Sequence, residues 1–344
     1  MAETYAKESV REEPRLRTGL CWAVLVCLLI LGSLAALLVG DGDLSDPGLR
    51  DAFVGLRAWR LGNTILAGAA LAVGGVLVQG LFRNPLASPS ILGTTAGASL
   101  GGITVLLLGD LFFLGMALPG LPRELLVPVG CLLGALLSLG VLLVVARRNT
   151  GIVTVLLTGF ILSSFFLSIA GLLSSLAQER WEVGRAVVAF SLGGIESKGA
   201  RQFVLAAPMV AMATVVAFGW ARHLDLLLSG EEEAAALGVP VRQVRRWAIV
   251  WTATLTGAAV AIGGNIGFVG LVVPHALRPF VGAEHRRLIP AALVGGATFL
   301  VWADVLARSL PGVSQIPLGV VTGLIGAPVF LVLLARSYRA GEVL

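Results

Sequence analysis

The sequence has 344 residues, of which 57% are hydrophobic and 13% charged, with a mean hydropathy of +0.92. Soluble domains carry roughly 25% charged residues, so this composition excludes a soluble enzyme, a secreted disulfide scaffold and a disordered tail protein. Its 25 Lys and Arg against 20 Asp and Glu leave a net charge of +5. In a chain that crosses a membrane repeatedly, such an excess reflects the positive-inside bias rather than nucleic-acid binding.

A bilayer core about 30 Å thick needs about 20 helical residues per crossing, and roughly 200 apolar residues supply about ten crossings. The apolar runs are continuous rather than alternating, which favours helices over a closed barrel. Interrupted at charges, prolines and polar turns, they fall in chain order at residues 20–40, 62–82, 92–109, 124–146, 152–176, 201–222, 246–262, 268–281, 288–307 and 317–336. The predicted fold is all-α: a polytopic membrane protein with about ten transmembrane helices, several broken by Gly or Pro. Residues 1–19 are expected as a cytoplasmic tail, 20–336 as one transmembrane domain and 337–344 as a second cytoplasmic tail. The first run exceeds the apolar core of a signal peptide, about 7–15 residues, and is taken as a span.

Orientation follows from the basic residues. With the N-terminus inside, sixteen of the 25 fall on the cytoplasmic side, from Lys7 to Arg339. The other nine, including Arg57, Arg60 and Arg308, fall outside and ask for a separate explanation. The bias places both termini in the cytoplasm. Cys21, Cys27 and Cys131 lie in apolar runs with no metal-ligand spacing.

Close approach of helices in lipid relies on small residues. Gly93, Gly97 and Gly101 share one helix face; Gly130 and Gly134, and Gly319 and Gly323, repeat that spacing. Packing within one subunit and a subunit interface are both open readings. Residues 83–93 contain Asn84, Pro85, Ser88, Pro89 and Ser90. Two prolines four apart do not fit an ordinary helix interior. The segment is either a turn between helices or a stiff irregular element beside a pathway or gate. Residues 263–274 and 315–328 are similarly interrupted, a pattern that suits a transporter better than an anchor.

Residues 223–246 form the longest polar cytoplasmic connection. Ser229 followed by Glu232 reads as a capping box. Glu231, Glu232 and Glu233 occupy the first turn, where the helix dipole favours negative charge. Gly238 stops that helix, and a second short helix is expected from Val241, carrying Arg242, Arg245 and Arg246. The pair is either a solvated loop or a docking element for a soluble partner.

These residues bring a family into view. Arg57-Ala-Trp-Arg60, Gln79-Gly80, Arg83-Asn-Pro-Leu-Ala-Ser-Pro89 and Leu92-Gly93 resemble the signature of the FecCD-type permeases, the membrane subunits of ABC importers for iron–siderophore complexes, haem and cobalamin. Gly230-Glu231 with Ala236-Leu-Gly-Val239, Gly267 to His275 with Arg278, Glu284-His-Arg286, Ala303-Asp304 with Arg308, and Pro317 to Gly323 extend the likeness over about residues 20–336. Trp59, Glu284 and Phe190 depart from the usual proline, aspartate and tryptophan of that family.

The resemblance implies ten helices, a second permease copy (a homodimer), two ATP-binding subunits beneath and an extracytoplasmic substrate-binding protein above. It implies ATPase coupling through Ser229, Gly230, Glu231, Glu232, Ala235, Leu237, Gly238 and Val239. It implies docking of acidic lobes of the binding protein on Arg57, Arg60 and Arg308. It also places Asn84, Pro85, Ser163, Ser164, Ser168, Thr322 and Gly323 at the pathway or a gate. The sequence has no Walker-type phosphate loop, so ATP and Mg belong to the partner subunit and no cofactor or metal is expected on this chain. His223, His275 and His285 are scattered without metal spacing. The location expected is the inner (plasma) membrane. The alternative is an ion-coupled secondary transporter, which needs intramembrane carboxylates; Asp304 is the one candidate.

Overall fold

Long apolar runs in lipid must satisfy every backbone N–H and C=O internally, and helices do so within one segment. The computed structural model describes residues 2–40, 49–111, 123–145, 152–195, 199–309 and 316–339. Among these the chain is helical throughout. The helices are α1 (Ala2–Leu38), α2 (Arg50–Leu81), α3 (Thr94–Leu111), α4 (Arg123–Val145), α5 (Ile152–Ala177), α6 (Trp181–Leu192), α7 (Ala200–Gly219), α8 (Ala221–Leu228), α9 (Glu231–Ala236), α10 (Val241–Gly263), α11 (Val269–Val281), α12 (His285–Ser309) and α13 (Leu318–Arg339).

Each of the ten predicted runs coincides with a helix. Six helices are long and apolar enough to cross a membrane unaided, within α1, α2, α4, α5, α7 and α12; α3, α11 and α13 supply shorter apolar segments. Three differences from the expectation are local. Helix α1 runs back to Ala2, so the polar N-terminal segment continues the first span. Residues 181–192 form a helix, α6, where none was expected. Residues 221–228 are also helical, which shortens the polar connection expected over 223–246.

The core is built around α2 and α12. The apolar windows of these two helices are 78% and 72% buried, against 11% for α1 and 22% for α5 and α7. Glycine pairs set the closest contacts. Gly68 of α2 meets the Gly296 carbonyl of α12, and Gly75 of α2 meets the Gly270 carbonyl of α11, with no room for a Cβ at either. Gly97 and Gly101 of α3 pack in the same way on Gly134 and Gly130 of α4. These repeats therefore serve packing inside one subunit. Gly323 has open space beside it.

Helix α1 sits at the edge. Its Gly32 faces Trp302 and Val301 of α12, and the Trp302 indole donates to the Leu28 carbonyl at 3.0 Å. These contacts fix the middle of α1; its end is held differently.

Candidate functional site

The last carbonyls of a helix lack intrahelical partners and carry partial negative charge. At the end of α1 two arginines supply the missing donors. Arg57 of α2 donates to the carbonyls of Leu37 at 2.9 Å, Leu38 at 3.0 Å and Gly40 at 2.8 Å. Arg308 of α12 donates to those of Ala36 at 3.2 Å and Val39 at 2.7 Å. Five successive carbonyls, residues 36–40, thus each accept a guanidinium hydrogen bond.

One carboxylate completes the cluster. Asp304 is 1% exposed. Its Oδ1 accepts from Arg60 Nη2 at 2.8 Å and Nε at 3.1 Å, and its Oδ2 lies 2.8 Å from Arg308 Nη2. The local pair of Arg308 with Asp304, four residues apart, is present as the spacing suggests. Arg60 takes Asp304, and Arg57 takes the end of α1. Asp304 thus holds Arg60 and Arg308 together, and Arg308 shares the end of α1 with Arg57, both lying against Gly40.

A second cluster is made of backbone. The turn ending α6, the break between α10 and α11, and the start of α13 converge. Leu318 N donates to the Gly193 carbonyl at 2.9 Å and Asn265 N to the Phe190 carbonyl at 3.2 Å. Gly193 adopts φ +85°, and a Cβ on Gly264 or Gly319 would collide with the carbonyls around it.

The expected pathway residues divide. Ser164 and Ser168 of α5 are exposed, and each hydroxyl donates to the carbonyl four residues earlier, at 3.0 and 2.8 Å. Ser163 does the same to Gly159 at 2.8 Å and also reaches the Ser90 carbonyl at 3.2 Å. With their donors spent on the backbone, these serines leave a mainly apolar face bearing Phe160, Ile161, Phe165 and Leu172. Thr322 of α13 is fully buried, its hydroxyl donating to the Gly319 carbonyl at 3.1 Å. Asn84 and Pro85 are half-buried in the turn between α2 and α3, where Asn84 Oδ1 accepts from Leu86 N at 2.8 Å. Arg83 before them takes a left-handed φ of +50°.

The connection over residues 223–246 also departs from expectation. Ser229 ends α8, and Gly230, at φ +131°, stands at the cap of α9 with no side-chain capping bond. The Ser229–Glu232 capping box is therefore absent, because the left-handed turn at Gly230 sets the start of the helix. The residues from Val241 do not form a separate short helix; they begin α10. Glu231 pairs with Arg245 across that turn. Ala234 and Val239 are buried and pin α9 down, whereas Glu232, Ala235, Leu237 and Gly238 are exposed.

Comparison with known proteins identifies the family. The model of the FecCD transport family matches residues 22–336. The hemin transport system permease protein HmuU of Yersinia pestis is 36% identical over 96% of this chain and 99% of its own. The vitamin B12 import system permease protein BtuC of Vibrio vulnificus is 37% identical over 96% and 97%. A solved structure of an inward-facing transporter, assigned to the metal-chelate ABC type, superposes with a TM-score of 0.79 at 29% identity, over 94% of this chain and 99% of that one. With the family match spanning nearly the whole chain, this multi-pass membrane protein belongs to the FecCD transport family.

Proposed function

We propose that this chain is the permease subunit of an ATP-driven ABC importer that moves a ferric siderophore, haem or cobalamin into the cytoplasm. The observation that carries this reading is the end-to-end similarity to HmuU, 96% of one chain on 99% of the other. Ten crossings with both termini inside fit the placement of the helices: the arginine cluster and the backbone junction then share the outer side, and α8, α9 and the turn at residues 83–93 share the inner side.

Two copies enclose the passage in this reading. The exposed apolar face of α5, poor in free donors, suits a second copy and a bulky cargo that is not held tightly. The exposed residues of α9 meet an ATPase subunit, which carries ATP and Mg. The binding protein docks outside. Arg57, Arg60 and Arg308 stand together there, and their charges steer acidic lobes and set register. The alternating opening of the passage is driven from the cytoplasmic side. Asp304, on which ion-coupled transport would have to rely, is already paired with two arginines, so no observation favours that alternative.

The test is ATP-dependent uptake in proteoliposomes holding this chain with an ATPase subunit and a binding protein. A ferric siderophore, haem and cobalamin are supplied separately. Uptake of one of them names the cargo. A folded, ATP-hydrolysing complex that moves none refutes the importer reading.

A further inference from the structure

Helix α8 of the cytoplasmic connection is tied to α12 by a polar side-chain contact that the importer reading does not use. Asp225 lies on α8, which leads directly into α9. Its Oδ1 accepts two hydrogen bonds from the first residue of α12: His285 backbone N at 2.9 Å and His285 Nδ1 at 2.6 Å. The carboxylate thus caps the start of α12 from another helix, where its charge complements the dipole. His285 is 2% exposed. Its Nε2 is buried with no hydrogen-bond partner, pressed against Gly80 of α2, which has no room for a Cβ.

The neighbouring residue extends the chain of contacts. Gln79 is 2% exposed; its Oε1 accepts from Arg278 Nη2 of α11 at 2.6 Å, and its Nε2 reaches the Gly270 carbonyl at 3.4 Å. From Gly80 and His285 inward, α2 and α12 stay in contact through Gly68 and Gly296 to Arg60 and Asp304 at the far end. Elements packed at backbone contact move together, because close-packed interiors do not deform continuously. The Asp225–His285 contact gives a displacement of α8 a polar route into this pair of helices.

We propose that Asp225 and His285 are positioning residues that transmit the movement of the ATPase-facing connection into the α2–α12 pair, and through it to the outer arginine cluster. The proposal rests on the importer reading. Coupling between distant sites is reciprocal, so the same contact carries the signal of a docked binding protein inward to the ATPase.

The experiment measures ATP hydrolysis of the complete reconstituted complex with and without saturating binding protein. Its variants are Asp225→Asn, His285→Ala and His285→Asn, with Leu224→Ala as a control that removes packing from the same helix without touching the contact. Wild-type complex that is not stimulated by binding protein refutes the importer reading itself. Given stimulation in wild type, Asp225→Asn and His285→Ala are expected to lower it at least about fivefold, the low end of common coupling factors, with basal hydrolysis and assembly kept. His285→Asn, which keeps a donor near the Nδ1 position, restores part of it. Unchanged stimulation in both variants overturns the proposal. So does equal loss in Leu224→Ala at a matched fall in melting temperature, which makes the effect general softening. If neither Asp225→Asn nor His285→Ala assembles, the contact serves folding rather than transmission, and the proposal falls.

Discussion

Asp304→Asn is the most informative single substitution. Asparagine keeps the shape of the side chain and removes its charge. In the native protein both carboxylate oxygens face guanidinium groups, with contacts of 2.8 Å on each side. The side chains of Arg60 and Arg308 are 13% and 4% exposed. Removing the charge leaves two cations close together, and the new amide N–H₂ faces one of them with no acceptor between. Breaking a buried ion pair by changing one partner costs about 3–5 kcal/mol. Arg60 is the more open of the two, so the lower end applies, about 3 kcal/mol. At roughly 2 °C per kcal/mol for a chain of this size, the melting temperature falls by about 6 °C. The assay is thermal unfolding of the purified protein in detergent, repeated with Arg60→Gln and with the double variant. Because the residues touch, the double variant should lose less than the sum of the single losses. Melting of Asp304→Asn within about 1 °C of wild type, roughly 0.5 kcal/mol, refutes the idea that this carboxylate holds the cluster together.

Other expectations follow from the close contacts. Gly75→Ala drives a methyl into the Gly270 carbonyl and should cost about 3 kcal/mol, read as lower melting temperature and loss of monodisperse protein. Gly193→Ala combines a left-handed backbone, worth about 1–2 kcal/mol, with crowding against Gly319; it should lower both melting temperature and uptake. Gly230→Ala has open space but a φ of +131°. Its strain, about 1–3 kcal/mol, is local to the α8–α9 turn, so weaker capture of the ATPase subunit in a pull-down is expected at unchanged melting temperature of the membrane core.

Where the sequence was read correctly, one dominant signal was at work. An apolar run bounded by charges or prolines located all ten main helices, since lipid allows few other solutions. Helices α6 and α8 were missed because charges interrupt their apolar pattern: Arg180, Glu182 and Arg185 in one, Arg222, His223 and Asp225 in the other. Both keep a readable stripe, Gly184–Val187–Phe190 and Ala221–Leu224–Leu227, at the spacing of a helix with one buried face. The false capping box at Ser229 came from trusting a side-chain pattern where a glycine backbone decides. The pairing of Arg60 with Asp304 joins residues 244 apart, and no local pattern reveals such a partner. Asp225 with His285, 60 apart, and the junction of Gly193, Gly264 and Gly319 were beyond reach for the same reason.

The double capping of α1 has a consequence for how the protein is made. Arg57 lies only 17–20 residues beyond the carbonyls that it serves, so it reaches them almost as soon as α2 leaves the ribosome. Arg308 is 272 residues beyond Ala36. At synthesis rates of roughly 5–20 residues per second, the first helix waits roughly 15–50 s for the second half of its cap. During that interval α1 also lacks Trp302 and Val301, the side chains that meet Gly32. Helix α1 is thus fixed late relative to its own synthesis, and its cap is completed only by the arrival of α12.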